Sequence, residues 1–239
     1  MQTHDTPTPR RLWTADRLDV RMRQGRIEVA HLSGLAAGLA ALHAEPAGEA
    51  LAAPAQLAKR VRALAADVRA RASEIDAAGE LERALVAAIE RQAEAFAARA
   101  AEPGSRRLHG ALRFERIHVD PAGRAQLGPA APDRSGDPAE DLASLVVPLA
   151  ARGLRDLAVR LLAVYAERSG DFALYRVIDV HAGLAALEAA RAALEAAPAG
   201  DVAARAAAER LLEAPSRLAP IGPPRVLAVG GVMASGKST

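Results

Sequence analysis

Residues 54–101 read PAQLAKRVRALAADVRARASEIDAAGELERALVAAIERQAEAFAARAA. Leu57, Val61, Leu64 and Val68 recur at three- and four-residue spacing, and Leu81, Leu85, Ile89 and Phe96 carry a similar period further on. That period belongs to an amphipathic helix, with the interleaved Arg, Glu and Asp on the outer face. The stretch predicts two helices, one over about Pro54–Ala72 and one over about Ser73–Ala101, the second closed by Pro103-Gly104.

The same pattern extends in both directions. Residues 1–16 are polar, contain Pro7 and Pro9, and read as a disordered start. Leu18–Met22 is expected as a short strand. Ile27–His43 has the helical period, stopped by Pro46. Residues 105–132 change character: Ile117-His118-Val119 and Ala125-Gln126-Leu127 flank the turn signal Asp120-Pro121-Ala122-Gly123, which predicts a small hairpin. Helices resume over Pro138–Ala151, Leu154–Arg168 and Leu174–Ala196, and one from Asp201 as N-cap to Leu212. Pro215, Pro220, Pro223 and Pro224 then mark a linker.

Composition agrees with a mainly α chain. Of the 239 residues 51% are apolar and only 3% aromatic, so the core must be built from Leu, Val, Ile and Ala. Ala is the best helix former. The net charge is +2, with bases and acids interleaved, a solvated-face pattern that argues against a nucleic-acid partner. Without cysteine there is no disulfide, thiolate metal site or Cys nucleophile. The start, MQTHDTPTPRR, has no apolar signal-peptide core, and no run of about 18 apolar residues is free of charge, so a cytoplasmic protein is expected. The six histidines lack metal-ligand spacing, and no serine has a nucleophile-elbow context.

Arg225–Thr239 reads RVLAVGGVMASGKST. A compact apolar strand precedes Gly231-Val-Met-Ala-Ser-Gly236-Lys237-Ser238, which fits the phosphate-binding P-loop pattern GxxxxGK[ST] at every position. Glycines let backbone N–H groups turn inward around phosphate oxygens. The expected nucleotide contacts are Gly231, Ala234, Ser235, Gly236, Lys237, Ser238 and Thr239. Lys237 would reach the β- and γ-phosphates and Ser238 would hold Mg²⁺ through its hydroxyl. Lys237 is one of two lysines in the chain, with Lys59. The nucleotide is ATP or GTP. The helix that should follow is only begun at Thr239, so this polypeptide alone is expected to bind nucleotide weakly or not at all.

Residues 106–117, RRLHGALRFERI, resemble the catalytic loop of the aminoglycoside phosphotransferase-like kinases, which runs His-Gly-Asp-Leu-His and then Asn. Ser135–Leu145, SGDPAEDLASL, resembles the Gly-Asp-Pro…Asp-Leu-Ala helix start that follows in that family, and Leu154–Phe172 resembles its downstream helices. The arrangement as a whole is similar to two-domain proteins in which such a domain precedes a P-loop ATP-binding, kinase-like domain. By this resemblance His109 belongs to the old loop as a hydrogen-bonded core residue. Asp141 stands where the family braces the loop through backbone hydrogen bonds, and Asp137 reads as an N-cap with a scaffold role. The catalytic Asp falls at Ala111, the second His at Arg113, the metal-binding Asn at Arg116 and the metal-binding Asp at about Gly128. None of these can act as base or Mg²⁺ ligand. No lysine precedes Leu18 to serve an ATP-holding small lobe.

The expected architecture is therefore a mainly α (α+β) chain: a disordered start (1–16), a degenerate phosphotransferase-like large lobe (17–213), a Pro-rich linker (214–224) and the beginning of a P-loop domain (225–239). Phosphoryl transfer to an unidentified small-molecule substrate would lie in the P-loop domain alone. The alternatives are a non-catalytic, pseudokinase-like helical binding module and an active small-molecule (aminoglycoside-type) phosphotransferase, the latter disfavoured by Ala111, Arg116 and Gly128.

Overall fold

A computed structural model describes residues 17–101, 104–120, 122–198 and 200–218. Within them the chain is mainly helical, with two very small antiparallel sheets. The helices are α1 (Leu18–Arg23), α2 (Val29–Leu42), α3 (Pro54–Arg71), α4 (Ala77–Arg91), α5 (Ala93–Ala101), α6 (Pro138–Ala151), α7 (Arg155–Ser169), α8 (Ile178–Glu195) and α9 (Val202–Leu218). The strands are β1 (Arg106–Arg107), β2 (His118–Val119), β3 (Ala125–Gln126) and β4 (Ser135–Gly136).

Helix α6 is the axis of the fold. Ten of its fourteen residues are buried, so it is apolar nearly all round, as a central helix must be. Pro138 occupies its first turn, where a missing N–H costs nothing, and the Asp137 carboxylate accepts the Ala139 N–H at 2.9 Å. Helix α8 packs against α6, α9 and α3, and α2 packs against α7. The core between them holds Leu142, Leu145, Val146, Leu161, Leu187 and many alanines, with Phe96 and Tyr165 among its few rings. Gly170 ends α7 in the left-handed conformation (φ 75°) that glycine adopts without strain.

The hairpin expected at 117–127 is present as β2 and β3, in register His118↔Gln126 and Val119↔Ala125. Asp120 organises its turn by accepting the backbone N–H groups of Ala122 and Arg124, both at 2.9 Å. The second sheet was not expected. In it β1 pairs with β4 (Arg106↔Gly136, Arg107↔Ser135) and clasps the two ends of the intervening loop together.

Four boundaries depart from the sequence reading. Leu18–Met22 is helical, not a strand: the Asp19 carboxylate is buried and gripped by Arg17 (2.8 and 2.9 Å) and by Arg23 one turn on (2.8 Å). The hydrogen bond from Arg17 holds the Asp19 carboxyl well below its ordinary value, at about 2, although burial opposes the shift. The helix expected over 73–101 starts at Ala77 and breaks at Gln92, whose side-chain amide donates to the Asp179 carboxylate. Residues 172–176 form a 3-10 turn before α8. Helix α9 runs through Pro215 to Leu218, because Leu212, Ala214 and Leu218 are buried against the core. Pro215 thus belongs to a helix rather than to a linker. The 1–16 segment and the P-loop segment 225–239 lie outside the described residues.

Candidate functional site

The clasp between β1 and β4 delivers Leu108-His109-Gly110 to the first turn of α6. Leu108 N–H donates to the Arg134 carbonyl (2.8 Å) and Ala131 N–H to the His109 carbonyl (2.7 Å), which fixes both sides of the loop. Gly110 has φ 66°, and a Cβ there would lie 2.6 Å from Arg134 Cγ, so only glycine fits.

Asp141 is the organising side chain. Its Oδ2 accepts the His109 backbone N–H at 2.6 Å and its Oδ1 accepts the Gly110 N–H at 2.9 Å. His43, from the end of α2, places Nε2 3.1 Å from the same Oδ2. Its Nδ1 lies 2.9 Å from the Tyr165 hydroxyl. An ionised carboxylate only accepts, so Nε2 carries the donated proton and Nδ1 accepts from Tyr165. Burial, aided by the negative charge of Asp171, raises the Tyr165 pKa and keeps its hydroxyl a donor. Tyr165, His43, Asp141 and His109 in this chain are buried, a setting in which such hydrogen bonds strengthen one another.

His109 itself is buried, and its Nε2 donates to the Gly128 carbonyl at 2.9 Å, while Nδ1 has no hydrogen-bond partner. This bond ties the loop to the segment after the hairpin. Gly128 also lies against Arg116, and these are the two positions that the resemblance assigns to metal binding. A Cβ on Gly128 would lie 2.7 Å from the Arg116 carbonyl oxygen, so no acidic side chain has room there without a backbone shift. Among the described residues no group of three or more His, Asp or Glu is placed to hold a metal ion.

Asp137 does two jobs. Besides capping α6 it accepts two hydrogen bonds from the buried Arg99 guanidinium (2.7 and 2.6 Å). Arg99 also donates twice to Asp171 (2.7 and 3.0 Å), a bidentate pair on each side of one cation. Burial works against ionisation of Asp137, yet the Arg99 hydrogen bonds and the nearby His181 and Arg99 charges leave its pKa below the ordinary carboxylate value.

Gly110 and Ala111 lie at the wall of an open cleft of about 650 Å³, bounded by the loop, α6 and α8. Six arginines line it: Arg60, Arg113, Arg116, Arg134, Arg152 and Arg191. Sequence reasoning placed Arg113 and Arg116 on the loop but did not foresee this gathering. It also missed His43, Tyr165, Arg99 and Asp171 as supports of the loop and of Asp137. The nearest signal was Arg99 three residues after Phe96, a charge on the apolar face of its helix. The nucleotide contacts expected at Gly231, Ala234, Ser235, Gly236, Lys237, Ser238 and Thr239 lie outside the described residues.

No protein-family model, curated protein or solved structure matches the chain. Among the described residues no helix is long and apolar enough to cross a membrane.

Proposed function

We propose that residues 17–218 are a kinase-type large lobe that keeps the frame of a phosphotransferase loop without its chemistry and acts as a binding module. It precedes a P-loop domain opened by Arg225–Thr239, and phosphoryl transfer with ATP or GTP and Mg²⁺ belongs to that domain. The observation that carries this reading is the Asp141 brace. Both carboxylate oxygens are committed to the backbone of His109 and Gly110, and the residue that follows is Ala111. Phosphoryl transfer needs a base to orient the acceptor hydroxyl and oxygen ligands to hold Mg²⁺. Alanine supplies no base, and the guanidinium of Arg116 repels a divalent cation.

The test is turnover. Purified chain is incubated with Mg²⁺ and ATP or GTP, and phosphate release and transfer to hydroxyl acceptors are measured, alongside Lys237→Ala and Asp141→Asn variants. The reading expects no turnover that depends on the loop. Phosphoryl transfer that survives Lys237→Ala and is abolished by Asp141→Asn would sink it.

A further inference from the structure

We propose that the cleft beside Gly110 and Ala111 binds a small molecule carrying two or more phosphate groups, through Arg113, Arg116 and Arg152. This deepens the binding-module reading and rests on it. A volume of about 650 Å³ is that of a small-molecule site, roughly 300–1,000 Å³ in general.

The charge balance inside the cleft is what selects an anion. Four carboxylates line it, Glu115, Glu140, Asp141 and Glu188. Asp141 is consumed by two backbone N–H groups and His43. Glu188 is hydrogen-bonded to Arg60 (2.5 Å), and Glu140 stands between Arg60 (3.7 Å) and Arg134 (3.8 Å). Arg191 pairs with Glu195 at 3.3 Å. Arg113, Arg116 and Arg152 are left with no carboxylate partner among the described residues. Arg152 gives one N–H to the Pro148 carbonyl at 2.9 Å and keeps the rest of its fork free. All three are exposed and reachable.

The remaining lining carboxylate, Glu115, is outnumbered by the three unneutralised guanidiniums at this concave surface, which focus a positive potential that repels cations and concentrates anions. The planar fork of arginine matches phosphate oxygens two at a time. The small residues Gly110 and Ala111 place no acid and no bulk at the wall. The stem of Arg134 covers Gly110, so its guanidinium stays with Glu140 rather than filling the cleft.

The experiment is calorimetric titration of the 239-residue chain carrying Lys237→Ala, so that the P-loop makes no contribution. Inorganic tripolyphosphate and a sugar bisphosphate are the probes, at low and at high salt. Saturable binding of either probe is expected, weakened by salt. It should weaken at least about tenfold in Arg113→Ala/Arg116→Ala, since charge-assisted hydrogen bonds are lost. The control Arg62→Ala/Arg83→Ala removes the same charge from exposed helix positions away from the cleft and should bind like the parent. Binding of tripolyphosphate alone marks a condensed phosphate chain as the ligand type, and binding of the bisphosphate alone marks a phosphorylated metabolite. Absence of binding, or equal weakening in the control, overturns the proposal, provided melting curves show every variant folded. Loop-dependent turnover would overturn the binding-module reading instead, so the two failures are distinguishable.

Discussion

Replacing Arg99 with Met tests the polar cluster that fixes the start of α6. The guanidinium is buried with 1% exposure and makes four hydrogen bonds to Asp137 and Asp171. Met keeps the length and apolar stem but leaves two carboxylates without their cation. Removing one partner of a buried ion pair costs about 3–5 kcal/mol, mostly the penalty of the stranded charge. For a domain of this size that corresponds to a fall in melting temperature of about 10 °C. Urea denaturation followed by circular dichroism gives the free energy at pH 7.

The pH dependence supplies the refutation. In the wild type the Asp137 carboxyl lies below its ordinary value, so it contributes stability at neutral pH that is lost as pH falls through its folded pKa. In Arg99→Met the largest influence, burial, pushes the carboxyl up and is opposed by His181 and the Ala139 N–H, without the Arg99 hydrogen bonds and charge. The variant then regains stability as pH falls, because protonation removes the stranded charge. The gap between the two proteins should narrow from pH 7 to pH 4. A second variant, Arg99→Met/Asp137→Asn/Asp171→Asn, removes both charges, keeps a capping side chain at 137, and should recover more than half the loss at pH 7. A pH-independent gap, or a loss under about 1 kcal/mol, would refute a buried, ionised Arg99–Asp137–Asp171 cluster.

Three further outcomes follow from the packing. Asp141→Ala removes the acceptor of two loop N–H groups and of His43, so it should destabilise by about 2–4 kcal/mol and speed amide exchange at His109 and Gly110 above all. Gly183→Ala drives a Cβ into the buried Leu85 side chain and should cost about 1–3 kcal/mol in a thermal melt, with Leu85→Ala in the same chain relieving part of the loss. Gly128→Asp, which writes an acid back where the resemblance expects one, should lower stability by about 1–3 kcal/mol without creating Mg²⁺ binding, read by melting with and without the metal.

What could be read from the sequence was local. The Asp137-Pro138 start of α6, the Gly170 end of α7 and the Asp120 turn each carry their signal within four residues, and each sits where its chemistry requires. The departures come from distant partners. Leu18, Val20 and Met22 alternate like a strand, but Leu18 N–H donates to Ile117 and Asp19 is held between Arg17 and Arg23, which suits a helical turn. No Gly or Pro announces the break at Gln92, whose amide reaches Asp179 far along the chain. Arg99 gave no hint of carboxylates 38 and 72 residues downstream. Likewise, the cleft gathers arginines from α3, the loop, α8 and the cap just after α6 that are scattered over more than half of the sequence.

The brace explains how the loop can hold its shape whatever side chains it carries at its rim. Asp141 contacts the backbone of residues 109 and 110 and the ring of His43, and none of those bonds involves the side chains at 111, 113 or 116. The loop conformation is therefore indifferent to what those side chains are. The side chains at 111, 113 and 116 can vary at little cost in folding, because surface substitutions away from packing and caps change stability little. The reverse holds for Gly110 and Gly128, whose missing Cβ atoms make room for Arg134 and for the Arg116 carbonyl. The loop thus separates into a fixed frame and a replaceable rim, and it is on the rim that the arginines open to an anion are found.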